Sequence, residues 1–277
     1  MNPGIHTISI EQYHSGPGIS RSGLELFRRS PLHYWHEYLN PEREQRVAPD
    51  VITKASPLEF GNAFHCYVLE PEQFEKRYMV FEKADGRTKI GKTINEQAAL
   101  ARGARELIDV KAFQEITNMS RSINLSSTAK GLIDGAVYEK SLFWVDSDTG
   151  ILCKVRPDIW HSNMIGDLKS TRSAAPRDFQ RDIHSYAYYV QAGMISEALW
   201  TLQGVNMMNF VYVAVEKEAP YATALYKLDE NAVNQGREEF KRTLHEFKAC
   251  IDSGVWPSYP DSVIDLPPYA YTNKEEF

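Results

Sequence analysis

The spacing of apolar residues divides the chain into helical, strand-like and again helical stretches. Residues 1–19 hold no sustained period and contain the breaker Gly16-Pro17-Gly18, so they read as an irregular arm. From Ser20 onward, Leu24, Phe27, Tyr34, Trp35 and Tyr38 fall at helical spacing, interrupted at Ser30-Pro31. Ser56-Pro57-Leu58-Glu59 reads as a capping box with proline in the first turn, and the helix it opens runs to Leu69 before Glu70-Pro71. A further helix is expected over 94–118. Between 136 and 170 the period becomes two, which predicts strands near 137–146, 151–160 and 163–169. Asp148-Thr149-Gly150 and Ser162-Asn163 supply the turns. A helix follows Pro176 to about Leu199, with Ile183, Ala187, Val190, Met194 and Ala198 on one stripe. Strands at 208–216 and 222–228 and a helix over 229–252, ending before Gly254, complete the order. This is a mixed α/β (α+β) pattern: a central mixed sheet with a β-meander, flanked by helices. The expected organisation is the arm, one domain over 20–255, and a Pro/Tyr-rich tail over 256–277.

Composition narrows the class. The chain has 277 residues, 43% of them apolar and 25% charged, which excludes disordered and low-complexity chains. No apolar run approaches the ~18 residues of a membrane span, and the first thirty residues have no secretory pattern. Three scattered cysteines, Cys66, Cys153 and Cys250, exclude a disulfide scaffold and a thiolate zinc site and fit a reducing compartment. The net charge is −6, so any nucleic-acid surface has to be a local basic patch. Residues 83–92 offer one: Lys83, Arg87, Lys89 and Lys92 against Asp85, with two glycines, read as a mobile basic loop.

The densest chemistry lies on the meander. Lys154, Arg156 and Asp158 alternate on one strand, and Asp167 and Lys169 share a face of the next. A turn centred on Ser162-Asn163 sets Asp158 opposite Asp167, with Cβ atoms roughly 5 Å apart. Like charges so placed need a compensating cation, and oxygen ligands suit Mg²⁺ or Mn²⁺ better than zinc. Lys169 would lie beside that cation and orient a water or stabilise phosphate charge. A surface hairpin laced with salt bridges accounts for the same residues. Glu139, on the first strand of the meander, is a weaker candidate ligand for a second metal. A lone helical His65 is more often a packing residue than a ligand.

Asp158 with Asp167-Leu168-Lys169, preceded by Pro157, resembles the PD-(D/E)xK nuclease signature. Phe60 to His65 with Leu69-Glu70-Pro71-Glu72 resembles a segment of the exonuclease VIII (RecE) nuclease domain. Asp85 to Lys92 resembles that family's basic loop, and Tyr188-Tyr189-Val190-Gln191-Ala192 resembles the helix after the signature there and, more distantly, in lambda exonuclease. The likeness runs from about Ser20 to Val215, in the family's order. It implies His65, Asp158, Asp167 and the Leu168 carbonyl as metal ligands, Lys169 as the catalytic lysine, and Tyr188 and Gln191 beside the reacting phosphate. Ser20, Arg21 and Ser22 at a helix start, with Arg87, Lys89, Lys92 and Arg156, would contact DNA. The resemblance further implies a Mg²⁺-dependent exodeoxyribonuclease acting 5′ to 3′ on double-stranded DNA ends, with Mn²⁺ able to substitute. A homo-oligomeric ring (trimer or tetramer), a single-strand annealing partner and a phage or prophage setting in the bacterial cytoplasm come with it. Some related nucleases hold an iron–sulfur cluster on four cysteines; three cysteines, with Ser30 where one ligand would stand, exclude it here.

Overall fold

The computed structural model describes residues 1–43 and 56–265. The chain opens with β1 (Gly4–His6) and the helices α1 (Ile10–Ser15), α2 (Arg21–Arg29) and α3 (Pro31–Tyr34), which runs into a π-helical turn at Trp35–Leu39. Then come α4 (Pro57–Leu69), α5 (Pro71–Arg77), β2 (Tyr78–Phe81), α6 (Lys89–Ala101), β3 (Glu106–Asp109), α7 (Val110–Leu125) and α8 (Ser127–Ile133). The meander supplies β4 (Val137–Tyr138), β5 (Ser141–Val145), β6 (Leu152–Val155), β7 (Ile159–His161) and β8 (Met164–Thr171). The rest is α9 (Pro176–Ser185), α10 (Tyr188–Gln203), β9 (Phe210–Glu216), β10 (Thr223–Lys227) and α11 (Glu230–Ser253).

The main sheet has the order β10-β9-β8-β7-β4, and β8 and β9 pair in parallel. Its alternating residues feed two cores. Tyr212 and Ala214 of β9 face α2, α10 and α11, while Val213 and Val215 face α4 and α7. Burying both faces makes β9 a nearly continuous apolar strand, and Asp167 stands out on β8 as a buried charge. The α10 and α11 helices touch at Gly193 and Gly236. A Cβ on Gly236 would lie 2.0 Å from the Tyr189 carbonyl oxygen, so only glycine allows this approach.

The meander keeps its expected register but not its expected strands. Ile159 pairs with Gly166 and Trp160 with Ile165, as the turn at Ser162-Asn163 requires. The first two strands are each broken. Pro157 has no N–H for a ladder and Glu139 adopts a left-handed φ of 53°. As a result β4 and β7 join the main sheet, whereas β5 and β6 join β1 in a second, three-stranded sheet. The two halves nevertheless share one register, and the Glu139 N–H donates to the Asp158 carbonyl at 3.2 Å.

Four further expectations are corrected. Residues 1–19 are not irregular: β1 pairs antiparallel with β5, Ser9 and Gln12 form a capping box on α1, and Tyr13 is buried. Short runs of three and six residues are below what periodicity can reveal. The 94–118 stretch is not one helix but α6, β3 and α7, because β3 pairs in parallel with β2. The basic loop ends at Thr88, whose hydroxyl caps α6, so Lys89 and Lys92 stand on a helix. The helix from Pro176 breaks at Tyr186–Ala187, where Ala187 is left-handed at φ 49°. Of the tail, Trp256 stacks on Tyr34 and meets Phe27 and Phe247 of its own domain. Residues 266–277 lie outside the described residues.

Candidate metal centre and phosphate cavity

The meander delivers Glu139 and Asp158 to the same point from adjacent strands. α4 brings His65, and the three offer ligand atoms that all lie within 4.8 Å of one another. The α4 helix is fixed there by its own sequence: Ser56 and Glu59 cap it reciprocally, and Phe60, Ala63 and Phe64 bury its apolar side. His65 Nδ1 stands 3.4 Å from Asp158 Oδ2, which also accepts the Leu168 N–H at 2.9 Å. All three side chains line a cavity of about 310 Å³ with Lys169, Gln191, Arg21 and the Ser20 and Ser22 hydroxyls.

Charge in this cavity does not balance. Glu139 takes the Arg156 guanidinium at 2.6 Å, and Asp167 takes Lys169 Nζ through both carboxylate oxygens. Asp158 has no ion pair to a lysine or arginine among the described residues. Burial, then the neighbouring Asp167 charge, push its carboxyl well above the ordinary range, with Lys169 and the Leu168 N–H pulling the other way. Burial first, then the Lys169 ammonium, hold the His65 imidazole below its usual value, so it stands neutral with a lone pair available. One imidazole nitrogen and two carboxylates around an uncompensated negative charge fit a divalent cation.

The placement of the expected residues is mixed. His65 and Asp158 meet as the resemblance implies. Asp167 is absent from their group: the lysine two residues on, which shares its face of β8, takes the carboxylate, and Gln191 Nε2 donates to it at 3.3 Å. Glu139, expected as a weaker candidate ligand for a second metal, joins His65 and Asp158 there. The register of the first hairpin, carried back from the Asp148-Thr149-Gly150 turn, sets it opposite Asp158. The Leu168 carbonyl does lie against His65. Tyr188 sits by Lys169, whose Nζ is 4.8 Å from the ring centroid.

The DNA-facing candidates also separate. Ser20 caps α2 by accepting the Gly23 N–H, and Arg21 holds the Tyr186 carbonyl and Glu25 while its Nε is buried without a partner. Arg156 is a correction: its guanidinium is buried on Glu139, Ser141 and the Ile8 carbonyl and braces the cavity wall. Arg87 is paired with Asp85 on the surface, and neither it nor Lys89 or Lys92 lines the cavity.

A solved structure from Eubacterium rectale, described as a "putative exonuclease", superposes with a TM-score of 0.65 at 17% identity, covering 95% of this chain and 96% of that one. At that identity the likeness is one of fold. SSO0001, a second solved structure, aligns at 17% identity over 74% of this chain and 98% of its own, with a TM-score of 0.28 that carries no argument. No protein of curated function matches. The family described as "PDDEXK-like domain of unknown function (DUF3799)" matches residues 20–263, and the chain, by its sequence as by its fold, belongs to that family.

Proposed function

We propose that the chain is a divalent-metal-dependent exodeoxyribonuclease that degrades linear double-stranded DNA from its 5′ ends and leaves 3′ overhangs for strand annealing. The observation that carries the reading is the shared cavity: His65, Glu139 and Asp158 beside a Lys169 held by Asp167. A cation there, Mg²⁺ or Mn²⁺, would neutralise phosphate charge and favour deprotonation of the attacking water. The remaining work belongs to the chain. Lys169 Nζ, aligned by Asp167 and Gln191, donates to the attacking water or a phosphate oxygen. The Ser20 and Ser22 hydroxyls, at the N-terminus of α2, supply donors for a second phosphate beside the Arg21 charge. Glu139, tied to buried Arg156, is fixed before substrate arrives. Resemblance adds the assembly: a ring of three or four copies, working with an annealing protein in a bacterial cytoplasm.

The test is digestion of one linear duplex labelled separately at each 5′ and 3′ end, beside a covalently closed circle, with Mg²⁺ or EDTA. Mg²⁺-dependent loss from the 5′ ends with an intact circle is the expected result. Cutting of the circle would replace the exonuclease with an endonuclease, and loss from 3′ ends would reverse the polarity.

A further inference from the structure

A second cavity of about 900 Å³ is lined by Ser170, Arg172, Arg181, Tyr186, Tyr188 and Lys217 among others, and the Tyr188 ring lies 4.8 Å from Lys169 Nζ, a group of the first cavity. Its floor is the continuation of β8 beyond Lys169. Three tyrosines form a ladder into it. Tyr212 is buried and stacks on Tyr188 (5.7 Å, 29°), and Tyr188 stacks on Tyr186 (5.6 Å, 24°). The last rung, Tyr186, is 51% exposed. Each rung is held from behind. The Tyr212 hydroxyl donates to the Tyr188 carbonyl at 2.9 Å, and Arg21 from the phosphate cavity grips the Tyr186 carbonyl. The left-handed Ala187, a conformation alanine rarely adopts, breaks α9 from α10 at the point that turns Tyr186 outward. Charge in the cavity is mixed. Asp178 takes Arg181 and Asp182 takes the Thr171 hydroxyl, whereas Arg172 and Lys217 have no carboxylate partner among the described residues.

We propose that this cavity holds unpaired nucleotides of the DNA strand next to the scissile phosphate, with a base stacked on Tyr186 and phosphates on Arg172 and Lys217. The inference rests on the nuclease reading and adds the path of the strand. An exposed, pre-ordered aromatic face flanked by unpaired cations is the chemistry that binds single strands without reading sequence. The ladder also links strand binding to the reacting centre, since Tyr188 carries both Tyr186 and the Lys169 ammonium on its ring.

The experiment measures anisotropy of a labelled single-stranded oligonucleotide in EDTA, where no cleavage occurs, for wild type, Tyr186→Ala, Tyr186→Trp and the double variant Arg172→Ala/Lys217→Ala. Tyr186→Ala is expected to weaken binding about tenfold, and Tyr186→Trp to keep it. An abasic site stepped along the strand should cost wild type a similar factor at one position and cost Tyr186→Ala nothing further there. The double variant should flatten the slope of log K against log salt by about 1.4, two released phosphates' worth. Equal binding by wild type and Tyr186→Ala, or equal abasic costs in both, would overturn the proposal. Cleavage of linear duplex is read separately in Mg²⁺. Tyr186-dependent binding without any cleavage would remove the nuclease reading and leave the single-strand site standing.

Discussion

Two charge clusters in this molecule have similar composition and opposite logic. The first joins α10 and α11 to the β5–β6 turn. Lys241 reaches Glu197 at 2.9 Å, Asp148 at 3.3 Å and Asp146 at 3.7 Å, and Arg237 closes on Glu197 at 2.9 Å. Asp146 spends its other oxygen on Thr149, fixing the turn, and Lys241 pulls the Asp148 carboxyl down. The second is the cavity, where Arg156 and Lys169 are each spent on Glu139 and Asp167, and Asp158 is left to the Leu168 N–H and a neutral imidazole. One cation shared among three carboxylates completes a structure. A carboxylate without an ion pair to a lysine or arginine, pushed towards protonation by burial and by the neighbouring Asp167 charge, marks where a ligand would fit.

That contrast is breakable at several points. Removing Lys169 or Asp158 as alanine should abolish Mg²⁺-dependent loss of a linear duplex, by about 10³-fold or more in rate on a gel assay, with the fold retained by circular dichroism. Lys241→Met should do the reverse. It removes the cation facing Asp146 and leaves Glu197 to Arg237 alone, lowers stability by about 1 kcal/mol in a urea titration and leaves cleavage unchanged. Glu139→Gln tests the grouping of His65, Glu139 and Asp158: half-saturating Mg²⁺ should rise about tenfold, whereas Asp167→Asn should lower turnover with little change in metal demand. Asp158→Asn should stabilise the EDTA-treated protein by roughly 1 kcal/mol while inactivating it.

The pH dependence follows from the same residue. A carboxyl whose folded pKa lies above its unfolded one binds the proton more tightly in the native state. Metal-free stability should therefore fall as pH rises from the unfolded carboxylate range to the raised Asp158 value. Thermal denaturation in EDTA across that window should show the decline in wild type and not in Asp158→Asn. Mn²⁺ should restore wild type alone, and increasingly so as pH rises and Asp158 gives up its proton.

Much of the cavity was legible from local rules. The turn at Ser162-Asn163 and strict alternation placed Asp158 and Lys169 in relation to each other, the caps at Ser20 and Ser56 placed two helix starts, and only the family resemblance brought His65 to Asp158. What alternation could not show is where a strand stops. Pro157 and the left-handed Glu139 divide two apparent strands between two sheets, and that division brings Glu139 onto Asp158. Ladder logic set Asp158 against Asp167 and left open which of them Lys169 would pair with; Asp167, two residues before it on the same face of the strand, takes it. The break at Ala187 was equally hidden, because its apolar neighbours continue the helical period through it. Tyr186, exposed by that break, therefore went unnoticed.

The central claim is that the uncompensated carboxylate makes a cation site. Crystals grown or soaked with Mn²⁺ and measured for anomalous scattering address it directly. The account predicts a single strong peak bounded by His65, Glu139 and Asp158, lost in Asp158→Asn. No peak there at saturating Mn²⁺, or a peak that survives Asp158→Asn, would contradict it.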